Sequence, residues 1–69
     1  MKVKILKLGH SARQADLPAG SSVQDALNKS DFDGTGYSLT INGLGCSTGA
    51  AVSDGDIVTM TPKIEGGNA

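Results

Sequence analysis

The stretch VSDGDIVTMTPKIEGG, residues 52–67, decides the fold because it places a tight turn, a strand and a strand terminator in succession. Asp54-Gly55 is a turn dipeptide. Aliphatic and threonine residues then alternate at the period of a β-strand, so Val58 and Met60 should point into a core and the threonines outward. Pro62 marks the end of regular pairing, because proline has no backbone N–H to donate to a neighbouring strand.

The N-terminal segment KVKILKL alternates lysines with aliphatic residues and predicts another strand, with Val3 and Ile5 facing the core. Turn residues follow it, and the segment RQADL, residues 13–17, is typical of a short partner strand that ends before a proline. Because the two segments are close in sequence, we expect them to form a hairpin.

The segment PAGSSVQDALNKS contains the clearest helix signal of the chain. Ser21 with Gln24, or Ser22 with Asp25, has the spacing of a capping box. Apolar residues follow at the i, i+3 and i+4 positions of one helix face, namely Val23, Ala26 and Leu27. The pattern predicts a helix over residues 22–29 that buries this face against a sheet.

The segment YSLTI, residues 37–41, predicts a third strand, which the turn dipeptide Asn42-Gly43 closes. The Gly-rich segment that follows is weakly patterned, and we expect one short strand near Ala50–Val52. The order is therefore strand, strand, helix, strand, weak strand and strand. One helix can cover only one face of such a sheet, so we expect a single α+β domain with a mixed four- to five-stranded sheet and its first and last strands side by side at the centre.

Three segments, in order, resemble the ubiquitin-like β-grasp proteins, and among them the sulfur carriers of the ThiS/MoaD type. They are GSSVQDAL at 20–27, INGLG at 41–45 and VSDGDIVTMTPKIEGG at 52–67. The resemblance spans essentially the whole chain. It implies a β-grasp domain over residues 1–63 and a flexible C-terminal tail over residues 64–69.

The resemblance also implies a reactive C-terminus. In this family a partner enzyme of the ubiquitin-activating type uses ATP to adenylate the terminal glycine carboxylate, which is then converted to a thiocarboxylate or joined to a protein amine. By this resemblance Gly66 and Gly67 are the activation residues, and the domain is a substrate that binds no cofactor rather than an enzyme. We expect the partner to dock on the open sheet face and the tail, because exposed apolar residues beside a reactive tail suit a transient interface. The candidate residues are Leu6, Leu8, Pro62, Lys63, Ile64 and Glu65.

Asn68 and Ala69 depart from the family's pattern, because they place the Gly67 carbonyl in a peptide bond. We favour the hypothesis that a peptidase removes Asn68-Ala69 and so frees the Gly67 carboxylate for transfer to a sulfur acceptor or target protein. A second hypothesis is a non-catalytic β-grasp interaction module with an inactive tail. A third is that the last two residues are an incidental extension.

The loop DFDGTG offers a competing interpretation as a calcium site. Asp31, Asp33, Thr35 and Gly36 occupy the first, third, fifth and sixth positions of a calcium loop, but Asn42 stands where the bidentate glutamate belongs. A polar turn with an aspartate as a local cap is the favoured interpretation.

Composition excludes several other functions. The net charge is −1 and the aromatic content 3%, which does not favour binding to nucleic acid or to an anionic membrane. The lysines of the first strand, Lys2, Lys4 and Lys7, could form one basic stripe, although such lysines commonly protect sheet edges. One cysteine, Cys46, and one histidine, His10, support neither a disulfide nor a metal site. The N-terminus lacks the apolar run of a secretory signal, so we expect a cytoplasmic protein.

Overall fold

A computed structural model describes residues 1–63, which form a five-stranded sheet with one α-helix. The elements, in chain order, are β1 (Lys2–Lys7), β2 (Ala12–Asp16), α1 (Val23–Lys29), β3 (Tyr37–Ile41), β4 (Leu44–Cys46) and β5 (Ile57–Pro62). The predicted α+β β-grasp architecture, with a mixed sheet and one helix packed on it, is confirmed. No helix in the described part of the chain is long and apolar enough to cross a membrane.

The strands lie in the order β2-β1-β5-β3-β4, so the first and last strands are neighbours at the centre, as predicted. β1 and β5 run parallel, with Lys4 opposite Ile57 and Lys7 opposite Met60. The two other neighbours of this central pair, β2 and β3, are antiparallel to it. The predicted N-terminal hairpin is therefore present as β1 and β2.

The core lies between the sheet and the helix and contains the residues that the alternation predicted. Val3, Ile5, Val58 and Met60 have no exposed surface. On the helix, the apolar stripe is also fully buried, namely Val23, Ala26 and Leu27. Burial of these side chains, at about 1.5–3 kcal/mol each, is the main force that holds the helix on the sheet.

The helix begins with the second of the two predicted capping boxes. The Ser22 hydroxyl accepts a hydrogen bond from the Asp25 backbone N–H at 3.3 Å, and the Asp25 carboxylate accepts one from the Ser22 backbone N–H at 2.9 Å. These contacts satisfy two N–H groups that no helical carbonyl can reach. Ser21 instead donates its hydroxyl to the Pro18 carbonyl, so it stabilises the preceding turn.

The fourth strand is not where the sequence pattern placed it. The prediction of a strand near Ala50–Val52 is wrong, because that segment forms a single bridge between Ser22 and Ala51. The strand is β4, which pairs Leu44 with Ile41 across the turn residues Asn42 and Gly43. Both turn residues have positive φ, 52° and 88°, as a two-residue hairpin loop of type I′ requires.

Asp56 and Asn42 fix the turn that leads into β5. The Asp56 carboxylate accepts hydrogen bonds from the Ser53 backbone N–H and from the Asn42 side-chain amide. The Asn42 amide oxygen in turn accepts a bond from the Ile57 backbone N–H at 3.0 Å. Asp54 accepts a bond from the Lys2 backbone N–H at 2.7 Å. The two aspartates, Asp54 and Asp56, thus stabilise the turn through hydrogen bonds to the backbone and to Asn42.

Candidate functional site

The candidate site is the end of the sheet at which β5 finishes. Pro62 lies opposite Tyr37 of β3, and the backbone N–H of the following residue, Lys63, donates a hydrogen bond to the Gly36 carbonyl at 3.1 Å. On the other side of β5, the Leu8 N–H donates to the Met60 carbonyl at 3.1 Å. The backbone is therefore bonded on the β1 side up to Met60 and on the β3 side up to Lys63, the last residue before the predicted tail.

Pro62 ends the pairing on one side of β5 only. In the antiparallel ladder with β3, hydrogen-bonded pairs alternate with non-hydrogen-bonded pairs, and the Lys63–Gly36 bond assigns the neighbouring pair, Pro62 and Tyr37, to the second kind. The missing N–H of Pro62 therefore removes no bond to β3. The backbone nitrogen of Pro62 faces β1 instead, and β1 has already ended at Lys7.

Of the predicted docking residues, Leu6, Leu8, Pro62 and Lys63 are described by the structure. Leu6 is half-buried on the face opposite the helix, between Ala12 and Thr59. Leu8 is 48% exposed, and Pro62 and Lys63 are also exposed. Alternation along β5 places Pro62 on the helix side with Met60, so this residue does not share a face with Leu6.

The other predicted site residues lie outside the described residues. They are the docking candidates Ile64 and Glu65, the activation residues Gly66 and Gly67, and the processing residues Gly67 and Asn68, with the dipeptide Asn68-Ala69 that processing would remove.

On the open face of the sheet, small and apolar side chains form a patch beside β1, which also carries the exposed Lys2 and Lys4 on this face. Thr40 and Thr59 lie opposite each other across β3 and β5, and Thr59 in turn neighbours Leu6 of β1. Ile57 is 38% exposed and lies next to Lys4 in the parallel register. The apolar part of this face can pack against another protein, with the lysines at its border.

A cluster of cations and aromatic rings lies on the opposite side of the same sheet end. The Lys7 ammonium is 5.1 Å from the ring centroid of Tyr37 and 5.6 Å from that of Phe32. The Arg13 guanidinium is 5.3 Å from the centroid of Phe32, and its Nη1 donates a hydrogen bond to the carbonyl of Ser30. We refer to Lys7, Arg13, Phe32 and Tyr37 as the cation–aromatic cluster.

The sequence patterns did not reveal this cluster, because its members come from four separate segments. The single basic stripe considered for Lys2, Lys4 and Lys7 is wrong. In a strand successive side chains point to opposite faces, so Lys7 follows Val3 and Ile5 to the helix side, whereas Lys2 and Lys4 lie on the open face. The alternation itself could have separated Lys7 from the other two.

The loop that was compared with a calcium site forms a local turn. The Thr35 backbone N–H donates a hydrogen bond to the Asp33 carboxylate at 2.9 Å, and this bond lowers the pKa of Asp33 below its ordinary value. This is the aspartate cap that the sequence favoured. Within residues 1–63, no three His, Cys, Asp or Glu side chains are grouped so that they could hold a metal ion.

Cys46 ends β4 at the sheet edge and is half-buried. Burial raises the pKa of its thiol. A raised pKa reduces the thiolate fraction near neutral pH, and thiolate is the nucleophilic form. The environment of Cys46 thus does not activate it as a nucleophile.

Several solved structures share this fold. SAMP1 from Haloferax volcanii, also described as small archaeal modifier protein 1, has a TM-score of 0.78 at 17% identity, over 96% of this chain and 99% of that one. A protein from Pyrococcus furiosus described as molybdopterin converting factor subunit 1 has a TM-score of 0.71 at 22% identity, over 91% and 98% of the two chains. A ubiquitin-like protein from Caldiarchaeum subterraneum has a TM-score of 0.59 at 19% identity, over 96% and 100%. These similarities confirm the ubiquitin-like β-grasp fold.

No protein-family model and no curated protein sequence matches the chain.

Proposed function

We propose that this chain is a ubiquitin-like sulfur carrier or protein modifier, activated at the carboxylate of Gly67. The observation that carries the proposal is the position of β5. It is a central strand of a β-grasp sheet, it is bonded on both sides, and its last held residue, Lys63, precedes the Gly66-Gly67 pair by a short spacer. Structural neighbours described as a modifier protein and as a molybdopterin converting factor subunit support the same class of function.

The proposed chemistry takes place on a partner enzyme of the ubiquitin-activating type. An oxygen of the Gly67 carboxylate attacks the α-phosphate of ATP, pyrophosphate leaves, and an acyl adenylate forms. A sulfur donor or a protein amine then displaces AMP and gives a thiocarboxylate or an amide. The chain supplies the carboxylate and a docking surface, whereas the partner binds ATP and supplies the catalytic groups.

The glycine pair has a physical reason in this reaction. Glycine has no Cβ, so it can pass through a narrow channel and adopt backbone conformations that other residues reach only with strain. A side chain at Gly66 or Gly67 would therefore obstruct the approach of the carboxylate to the nucleotide.

Activation requires a free carboxylate, and in this sequence Gly67 is joined to Asn68 by a peptide bond. A peptide amide has no carboxylate oxygen, so it cannot attack the α-phosphate of ATP to form the mixed anhydride with AMP. We therefore propose that a peptidase first hydrolyses the Gly67–Asn68 bond and releases Asn68-Ala69. The freed carboxylate can then be adenylated, after which the chain either delivers sulfur to an acceptor or is joined to a target protein.

The proposed docking surface combines the open sheet face with the tail. Leu6 and Leu8 present apolar area close to the end of β5, and Pro62 and Lys63 are exposed where the tail begins. Ile64 and Glu65 would extend this contact. A small surface of this kind suits a complex that forms and dissociates in each cycle.

The test is an activation assay with an adenylating enzyme of the ubiquitin-activating type from the same organism. Three variants are compared: the full sequence, a chain ending at Gly67, and the same truncated chain with Gly67→Val. We expect ATP–pyrophosphate exchange and a thiocarboxylate or conjugate, detected by intact mass, only for the unmodified chain ending at Gly67.

The outcome also separates the carrier from a non-catalytic interaction module. The carrier proposal fails if the chain ending at Gly67 binds the enzyme without supporting exchange and the Gly67→Val variant binds equally well. That result would support the interaction-module hypothesis. Processing has its own measurement. The full sequence, incubated in extract from the same organism, should lose the mass of Asn68 and Ala69 and no more.

A further inference from the structure

We propose that the cation–aromatic cluster binds the carboxylates of an acidic peptide segment on the protein that receives the tail. The identity of that protein rests on the proposed function. The binding of an acidic segment rests on the geometry of Lys7, Arg13, Phe32 and Tyr37, and on nothing in the tail.

The cluster is pre-organised. Phe32 and Tyr37 are half-buried, and the Lys7 ammonium lies within cation–π distance of both rings. Lys7 projects from β1, whereas Tyr37 belongs to β3, so the lysine side chain extends over β5, which lies between the two strands. Ordering a free lysine or arginine side chain costs up to about 2 kcal/mol, and here the rings have already restricted both cations.

Both cations keep hydrogen-bond donors for a ligand. Arg13 uses Nη1 for the Ser30 carbonyl, which leaves its other guanidinium N–H groups available, and a lysine ammonium has donors that a ring face does not consume. Within residues 1–63, the one salt bridge joins the N-terminal amine to Asp16, and neither Lys7 nor Arg13 takes part in it.

Asp33 is the carboxylate of the described chain that Lys7 influences. Lys7 contributes to the lowered pKa of Asp33, but the first cause is the backbone bond from Thr35, which occupies one carboxylate oxygen at 2.9 Å. Asp33 is fully exposed, so its charge is screened by water and offsets the charge of Lys7 only in part. The cluster retains positive charge for an external carboxylate.

The chemistry of the cluster favours acidic peptide over nucleic acid. Cations already lie over the two rings, which are the chain's only Phe and Tyr, so these ring faces are not open for base stacking. Planar guanidinium and a point-like ammonium together suit the two oxygens of a carboxylate. Because Tyr37 lies opposite Pro62, the cluster is at the same sheet end as the tail. A partner that holds the tail would therefore reach the cluster at the same time.

The test titrates the full-length, isotope-labelled protein with a synthetic Glu-rich peptide and follows the amide and side-chain NMR signals. We expect the largest shifts at Lys7, Arg13, Phe32 and Tyr37. Lys7→Gln and Arg13→Gln should each weaken the affinity about two- to fivefold, as loss of one exposed charge pair predicts. Lys7→Arg should retain the affinity. The shifts should disappear at about 1 M salt, where the Debye length falls to about 3 Å.

Lys4→Gln is the matched control, because it removes the same charge from the opposite face of the same strand. A peptide of Gln in place of Glu controls for charge on the ligand. Equal losses from Lys4→Gln and Lys7→Gln, or no shift at the cluster, would overturn the proposal. A parallel titration with inorganic phosphate tests the alternative ligand. Tighter binding of phosphate than of the Glu peptide would also overturn the proposal and would indicate a phosphate site.

The two proposals can fail separately. A chain ending at Gly67 that is never adenylated, but still binds the Glu peptide through Lys7 and Arg13, disproves the carrier and leaves the cluster as an interaction site. If instead adenylation occurs, Lys7→Gln and Arg13→Gln should raise its KM and leave kcat unchanged, because the cluster contacts the partner and not the reacting carboxylate. An unchanged KM would rule out its use in that complex.

Discussion

Replacing Gly36 by alanine tests the backbone conformation that holds the end of β5. Gly36 has a φ of +81°, and its carbonyl accepts the hydrogen bond from Lys63, the last residue of the chain that the structure describes. A Cβ at this position would meet no heavy atom within 4 Å, so the cost of the substitution lies in the backbone and not in steric overlap.

The magnitude follows from two opposing effects. A left-handed conformation costs an L-residue about 1–2 kcal/mol. Alanine also lowers the conformational entropy of the unfolded chain, which favours folding by about 0.4–1 kcal/mol. The net expectation for Gly36→Ala is a loss of about 1 kcal/mol in the free energy of unfolding. For a domain of this size that loss lowers Tm by about 4–8 °C.

Urea denaturation followed by circular dichroism measures this loss, and Gly49→Ala is its control. The backbone at Gly49 does not have a φ between +20° and +160°, and a Cβ there also meets nothing within 4 Å. Gly49→Ala should therefore be neutral or slightly stabilising. D-alanine at position 36, introduced by chemical synthesis, should remove the backbone strain and recover the lost stability. Equal stability of Gly36→Ala and the unmodified chain, or an equal loss from Gly49→Ala, would refute the reasoning.

Three further measurements test other local features. Ser22→Ala removes the hydroxyl of the capping box and should lower the free energy of unfolding by about 1 kcal/mol, which thermal denaturation will detect unless another group caps the helix. The rate of Cys46 alkylation by iodoacetamide should have a pH midpoint above that of a free thiol in a short peptide, because burial raises the pKa of Cys46. A midpoint at or below the peptide value would contradict this burial. NMR titration should give Asp33 a pKa below its ordinary value, because its carboxylate accepts a hydrogen bond from Thr35. The bond therefore stabilises the folded chain at pH values above the ordinary pKa, and this stabilisation is lost as the pH falls through the lowered pKa. An unshifted midpoint would mean that the turn is not formed in solution.

The elements with strong periodicity could be predicted from the sequence. β3 has the predicted bounds, and the capped helix and the central strand β5 each differ from the prediction by little. In these segments the apolar spacing directly reflects one buried face, since a side chain on the wrong phase would be exposed. Local sequence and burial therefore give the same answer for them.

The fourth strand could not be located in this way. β4 contains only Leu44, Gly45 and Cys46, and Leu44 is 74% exposed, so its burial pattern gives no signal. Its pairing depends on the Asn42-Gly43 turn, which fixes the register by backbone geometry. Val52, in contrast, is buried but belongs to no strand. The sequence prediction placed the strand at the buried Val52, whereas the position of the actual strand depends on the Asn42-Gly43 turn.

The residues of the candidate site also differ in whether the sequence could reveal them. The cation–aromatic cluster depends on long-range contacts, because Lys7 and Tyr37 meet only when β1 and β3 lie on either side of β5. No local spacing encodes such a contact. The Gly66-Gly67 pair, in contrast, was identified by resemblance and lies outside the described residues, so its role stays a prediction.

The position of Pro62 explains how β5 can pair with a strand on each side and still stop pairing at its C-terminal end. A strand at the sheet edge would be bonded on one side only, and local opening there would detach the tail together with the strand. β5 is instead bonded to β1 through Met60 and to β3 through Lys63. Pro62 cannot donate on the β1 side, so the ladder with β1 cannot continue beyond Leu8, while the bond from Lys63 to Gly36 still holds the other side. Pairing thus ends in two steps, first with β1 and then with β3. Lys63, the last residue that the structure describes, is consequently still bonded to β3 after the pairing with β1 has ended. Opening the end of β5 therefore requires the loss of bonds to two strands, whereas an edge strand would lose bonds to one.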